Sequence, residues 1–365
     1  VSPKRHIREI VDTGDRPLLQ VENLITHFET SRGLVRSVDG VSFELERGRT
    51  LAVVGESGSG KTVLARSVMG LLPHQGVVRQ GRVQFGDVDL TAATERELRE
   101  LWGAHISMVF QDPVTSLNPV VKIGRQITES LRYHLAMGRS DARETAVALL
   151  RSVGIPEPEQ RLSWFPHQFS GGMCQRIVIA AAIACGPKLL LADEPTTGLD
   201  VTVSAQILDL LGRLQQERFM SMILITHDLG VVTGRSDDVI VMYAGKIVEK
   251  APTAALFRAM RMPYTEALLK SAPRLSNASH TRLHTIPGSP PDPARYPQGC
   301  RFAQRCPYVQ AKCLEEEPPL RPAEGPNHVF ACWFPVGTPE GAQALEANLA
   351  RNTPAATALV RGETV

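Results

Sequence analysis

The eight residues Gly55-Glu56-Ser57-Gly58-Ser59-Gly60-Lys61-Thr62 leave few folds open to the chain. They follow an apolar run, Leu51–Val54, and precede a helical pattern from Val63 to Met69. Strand, glycine-rich turn and helix, in that order, make the setting of a phosphate-binding P-loop. The glycines let backbone N–H groups curl round a polyphosphate without Cβ clashes. The helix start adds about half a positive charge at the anion. In this pattern Lys61 reaches the β- and γ-phosphates, and the Thr62 hydroxyl holds Mg²⁺. The plain alternative is a strand–helix turn without a ligand. The full G-x4-G-K-[ST] spacing in its strand–helix context weighs against it.

Bulk properties bound the rest. At 365 residues, 43% hydrophobic and 21% charged, the chain has material for two or three globular domains. A net charge of +2 argues against a strong nucleic-acid footprint. No apolar stretch reaches membrane-spanning length, and no signal-peptide core stands near the start. The expectation is a soluble, cytoplasmic protein that reaches a membrane only by docking to a partner.

Residues 1–17 are polar and read as a lead-in. Alternating strand patterns at 18–24 and 38–45 predict an antiparallel layer, joined by a strand at 81–86. Leu189–Ala192, Met222–Ile225 and Val239–Met242 are unbroken apolar runs, typical of parallel strands buried on both faces, and Ile106–Phe110 reads as a buried strand by its apolar content. Helical spacing at 123–137 and 142–153 predicts a helical insert, and a further helix spans 204–217. The expected fold is therefore α/β, a mostly parallel sheet with an antiparallel β layer and a helical subdomain. The divisions expected are a nucleotide domain at 18–250, with its helical part about 118–170, a loop-rich extension at 251–335 and a tail at 336–365, partly helical at best and free to move.

Four further segments carry chemistry. Asp193 closes the Leu189–Ala192 strand, where an acid can hold Mg²⁺ through water, and Glu194 can take a proton from an attacking water. Phe169-Ser170-Gly171-Gly172-Met173 is a second glycine turn opening a helix, a second candidate for phosphate. Gln111 and His227 end two other strands. Taken singly, Glu194 reads as a solvated strand-end acid, His227 as an ordinary histidine and Gln111 as nothing at all; their order gives them meaning.

That order resembles the ABC-type ATPases across most of residues 18–250. The resemblance implies that Gly55–Thr62 is the Walker A loop, Gln111 the Q-loop and Ser170, Gly171, Gly172 and Met173 the signature motif acting on a partner's nucleotide. It makes Leu189–Asp193 Walker B, Glu194 the catalytic base, Asp200 part of the D-loop, His227 the switch histidine and Phe28 the adenine-stacking ring. Mg²⁺ would be held by Thr62, Gln111 and Asp193. Met173 stands where glutamine is usual in the signature, and Cys174 where arginine is common, a change expected to alter only a surface salt bridge. Phe110–Pro119, Phe165–Met173, Thr196–Val203, Pro263-Tyr264-Thr265, Ile286-Pro287-Gly288 and Gly299–Pro307 resemble, more narrowly, the oligopeptide/dipeptide/nickel importer ATPases.

Cys300, Cys306, Cys313 and Cys332 crowd one stretch with the spacing C-x5-C-x6-C-x18-C. In a reducing compartment such a cluster points to metal more than to disulfides. Short zinc-knuckle spacing is absent, and four thiolates suit an Fe–S cluster. The resemblance implies a [4Fe–4S] centre in at least some members. A Cys₃His zinc site using His328, or four unligated thiols, are the alternatives.

The reading is an ATP-hydrolysing subunit of an importer for peptides or related small solutes, at the cytoplasmic face of the cell membrane. The implied partners are a homologous ATPase subunit, two transmembrane permease subunits and an extracytoplasmic substrate-binding protein, with no nucleic acid. A soluble ABC ATPase acting on DNA or ribosomes would carry a long coiled coil or a second nucleotide domain, and the C-terminal extension disfavours an exporter. The sequence does not name the cargo.

Overall fold

Short apolar runs with no polar alternation must bury both faces, and that requirement shapes the molecule. The computed structural model describes residues 16–73, 75–271 and 285–361, without the side chains of Val360 and Arg361. Most of the expected lead-in at 1–17, and the last residues of the tail, lie outside the described residues. Strands β1 to β6 are Leu19–Thr30, Gly33–Leu45, Thr50–Val54, Val77–Phe85, Val88–Asp89 and Ile106–Val109. Strands β7 to β12 are Leu189–Asp193, Ser221–Thr226, Asp238–Tyr243, Lys246–Pro252, Arg321–Pro322 and Val329–Phe330. Helices α1 to α7 are Lys61–Met69, Glu95–Leu101, Pro113–Ser116, Ile123–Leu135, Arg139–Ser152, Pro158–Arg161 and Gly171–Ala182. Helices α8 to α13 are Val201–Arg218, Thr253–Ala259, Pro263–Ser271, Ala311–Glu315, Pro339–Ala350 and Pro354–Arg361. The chain divides into two compact units.

The first unit gathers residues up to 20, 44–50 and 83–225. Its centre is the parallel trio β6-β7-β8, with Ile106 opposite Leu189 and Leu189 opposite Ser221. Every residue of β6 and β7 is buried, as the continuous apolar runs require. The helical insert forms as α3 to α7. Ile123, Ile127 and Leu131 recur at four-residue spacing along α4 and make its buried stripe. The α4 start is pinned where the Gly124 amide donates to the Leu162 carbonyl at 2.9 Å.

The second unit comprises residues 21–43, 51–82 and 226–365. Here β3 pairs in parallel with β9, β9 pairs antiparallel with β10, and β10 continues onto β12 through Glu249–Phe330 and Lys250–Val329. One core holds Val54 and Val241 from these strands together with Tyr264, Phe302, Cys306, Phe330 and Ala344. Packing is therefore continuous across residue 250. The rings of Tyr243, Tyr264 and Phe302 meet at centroid distances of 4.5, 5.2 and 5.3 Å. Downstream of 336, α12 and α13 are regular helices. Thr338 caps α12, and the Asn348 amide donates to the Pro307 and Val309 carbonyls at 2.9 and 3.0 Å. Ala344 packs in the core, with Leu345 and Leu359 against it, so the segment is held by apolar packing as well as by this polar anchor.

Glu249 is fully buried on β10. It accepts the amides of Arg261 and Met262 at 2.6 and 3.2 Å and bonds His328 at 2.9 Å. Hydrogen bonds to a buried charge are among the stronger ones. His328→Ala removes one of these partners and should destabilise the chain by about 2 kcal/mol, read as a lower denaturant midpoint.

Candidate functional site

In the second unit the loop after β3 is shaped by crowding. A Cβ on Gly55 would lie 2.2 Å from the Met242 carbonyl oxygen, and one on Gly60 2.1 Å from that of Ser37. Gly58 and Gly60 also take positive φ, 80° and 104°, and Gly60 caps α1. Only glycine allows this path. Lys61 is 4% exposed, and its ammonium donates to the carbonyls of Gly55 and Glu56 at 2.7 and 2.9 Å. The buried Ser59 hydroxyl has no hydrogen-bond partner among the described residues. Glu56 receives two guanidinium bonds from Arg305, and its amide donates to the Tyr264 hydroxyl. Thr62 is half-buried in the first turn of α1, and Phe28 lies half-buried on β1. His227 follows β8 and is exposed.

In the first unit Asp193 ends β7 at 2% exposure. The next residue, Glu194, sits at φ 46°, a left-handed conformation that costs a side-chain-bearing residue about 1–3 kcal/mol. Its amide is held by the Ile225 carbonyl at 3.0 Å. Its carboxylate accepts from Gln111 Nε2 at 3.2 Å and from the Thr197 hydroxyl at 3.0 Å. The structure thus brings Gln111 and Glu194 together and adds Thr197. Thr197 escaped the sequence reading because a threonine in a turn carries no signal of its own. The backbone offers a better one, since a strand-end acid at positive φ points to function.

Ser170 caps α7, its hydroxyl accepting the Met173 amide. A Cβ on Gly172 would lie 2.8 Å from Val203 Cγ1, so this glycine lets α7 approach the start of α8. Asp200 caps α8 by accepting the Val203 amide at 2.9 Å. One expectation is corrected here. Cys174 is not on the surface; it is 3% exposed, and its thiol faces the Pro166 carbonyl at 3.6 Å. Burial raises the thiol pKa.

Cys300, Cys306, Cys313 and Cys332 line one small pocket, walled by Met262, Tyr308 and Trp333. All are free thiols. Burial raises the pKa of each, to about 11 for Cys300 and about 12 for Cys332. Among the described residues, however, no three or more His, Cys, Asp or Glu side chains close into a metal-ligand set. His328 is engaged with Glu249 and does not line this pocket, which removes the physical basis for a Cys₃His zinc site.

Residues 38–197 match the ABC transporter family, and residues 248–313 match the oligopeptide/dipeptide transporter C-terminal region. The oligopeptide transport ATP-binding protein OppD of Bacillus subtilis (strain 168) is 49% identical over 304 residues, 83% of this chain and 85% of that protein. The dipeptide transport ATP-binding protein DppD of Escherichia coli (strain K12) is 47% identical over 303 residues, 83% of this chain and 92% of that protein. The chain belongs to the oligopeptide/dipeptide family of ABC transporter ATPases.

Solved cassettes agree on the fold. The ATP-binding cassette MJ0796, a dimer in a post-hydrolysis state with ADP and Pi, superposes with TM-score 0.58 at 24% identity, over 64% of this chain and 98% of that one. CbiO1 of Clostridium perfringens, part of the ABC transporter complex cbiONQ, gives 0.56 at 27% identity, over 67% and 92%. The α/β P-loop ABC fold expected from the sequence is the fold of this ATPase. Among the described residues no helix is long and apolar enough to cross a membrane.

The tightness of the phosphate loop makes a direct test. In Gly60→Ala the new methyl must displace the Ser37 backbone from a residue at φ 104°. Strain alone is about 1–3 kcal/mol, so calorimetry should show ATP affinity reduced at least about tenfold.

Proposed function

We propose that this ABC ATPase drives uptake of peptides or related small solutes through a membrane permease, working at the cytoplasmic face of the membrane. The observation that carries the catalytic part is Glu194, fixed beside buried Asp193 and held by Gln111 and Thr197. Glu194 is the general base: its carboxylate takes the proton of the attacking water, oriented by two hydrogen bonds. His227 steadies the γ-phosphate. Gly55 to Thr62 cradle the phosphates, Lys61 supplies the cation and Phe28 stacks on the adenine.

The donors Thr62 hydroxyl, Gln111 amide oxygen and Asp193 carboxylate are all hard oxygens, the set that suits Mg²⁺. Those three residues would hold Mg²⁺, which when bound would supply positive charge to offset the phosphates of the nucleotide. Ser170, Gly171, Gly172 and Met173 act on the nucleotide of a homologous ATPase subunit, with Asp200 beside that interface. Two permease subunits and an extracytoplasmic binding protein complete the assembly. The names of OppD and DppD, oligopeptide and dipeptide transport proteins, support the cargo class.

Catalysis of this kind is mostly positioning and charge stabilisation. Glu194→Gln should retain ATP binding while turnover in the assembled transporter falls about 10²–10⁴-fold, the range of a lost general base. Hydrolysis at the unmodified rate would show that Glu194 is not the base.

The cysteine pocket supports a second, separate reading, a structural [4Fe–4S] cluster held by Cys300, Cys306, Cys313 and Cys332. What favours it is that four soft donors line one apolar pocket. The thiols would have to lose their protons and draw inward to ligate it. Anaerobically purified chain should then be brown, with iron and sulfide in near-equal amounts, and Cys313→Ser should bleach it. Colourless protein without iron, or with zinc alone, refutes the cluster.

A further inference from the structure

Glu56 lies in the phosphate loop, yet nucleotide chemistry gives its side chain no task. It is nonetheless tied at three points. Its carboxylate receives both terminal nitrogens of Arg305, at 2.7 and 2.8 Å. Its amide donates to the Tyr264 hydroxyl at 2.8 Å. Its carbonyl accepts from the Lys61 ammonium at 2.9 Å.

Arg305 is held as firmly as the residue it grips. It is 4% exposed. Its Nε donates to the Pro287 carbonyl at 2.8 Å, and its terminal nitrogens reach the Ile286 carbonyl at 3.3 Å and the Tyr243 hydroxyl at 3.2 Å. An exposed ion pair would contribute little. This one is bidentate on a buried guanidinium whose donors are otherwise occupied, the geometry in which arginine is not replaceable by a point charge. The same segment covers the loop elsewhere. Pro290, Pro291, Pro293 and Tyr296 share a small pocket with Glu56 to Ser59. The Arg36 amide donates to the Pro293 carbonyl at 3.0 Å, and the Tyr296 hydroxyl donates to the Arg36 carbonyl at 3.2 Å.

We propose that Arg305 and Tyr264 are positioning residues for ATP: through Glu56 the C-terminal extension sets the path of the phosphate loop and the place of the Lys61 ammonium. The link is mechanical. Glu56 is bound by the extension at its carboxylate and amide, and its carbonyl is one of two that hold Lys61. Release of the first two contacts frees the third, and small misplacements of a phosphate-binding group are costly. The inference rests on the reading that this loop binds ATP.

The test uses the full chain, with ATP affinity by calorimetry and ATP hydrolysis in the assembled transporter. Arg305→Met should weaken ATP binding about tenfold and raise KM in step, while kcat at saturating ATP stays within about threefold, the pattern of lost ground-state positioning. Tyr264→Phe keeps the ring in its aromatic cluster and removes only the hydroxyl, so it should fold and lose affinity several-fold. Arg305→Lys should recover little of the loss, because a point charge cannot make the bidentate contact. Arg305→Met combined with Glu56→Gln should be no worse than either alone, as expected of groups in one contact. Losses that add, or folded Tyr264→Phe and Arg305→Met chains with unaltered ATP affinity, overturn the proposal. Lys61→Ala is the control: if it too leaves affinity unchanged, the ATP reading of the loop fails instead.

Discussion

Two backbone carbonyls, those of Met242 and Ser37, stand where side chains at Gly55 and Gly60 would have to be. The phosphate loop is thus defined as much by what crowds it as by its own residues. Met242 belongs to β9 and Ser37 to β2, so the loop takes its shape only after both strands are in place. Parallel pairing of β3 with β9 brings the first of these into position. Burial of apolar runs drives the folding, and the glycines let the loop follow the narrow path that packing leaves.

Much of this was legible in the sequence because the residues singled out for the candidate site coincide with backbone events. Glycines at 55, 58 and 60, a strand ending at Asp193 and a serine opening α7 are all visible as breaks in hydrophobic pattern. The largely apolar β6 to β9 were readable for the same reason. What stayed hidden depends on contacts between distant residues with no local signature. Arg305 and Glu56 are 249 positions apart. Thr197 matters only because Glu194 turns back at positive φ toward it. Cys174 read as a surface residue because the helix pattern beyond the second glycine turn does not show which side meets Pro166. The helix at Pro339–Ala350 buries only Gly341, Ala344 and Asn348, small or polar residues that make no apolar stripe to read.

The four cysteines illustrate a different limit. Their spacing predicts a shared destination, and they do line one pocket. Burial raises the pKa of each thiol, and Cys306 and Cys332 pack in the hydrophobic core with Tyr308 and Phe330. Spacing shows that four thiols share a place and leaves open what, beyond packing, they do there.

The pairing of β10 with β12 ties the extension to the ATPase through its sheet. Glu249 and Lys250 pair with Phe330 and Val329, and Glu249 also needs His328. A cassette shortened just after β10 would therefore keep its phosphate loop motif but gain an open strand edge beside a stranded carboxylate. Unpaired edges of that kind recruit other chains. Loss of the extension would move the edge of the sheet from the two-residue β11 to the seven-residue β10, a longer template for a stray strand.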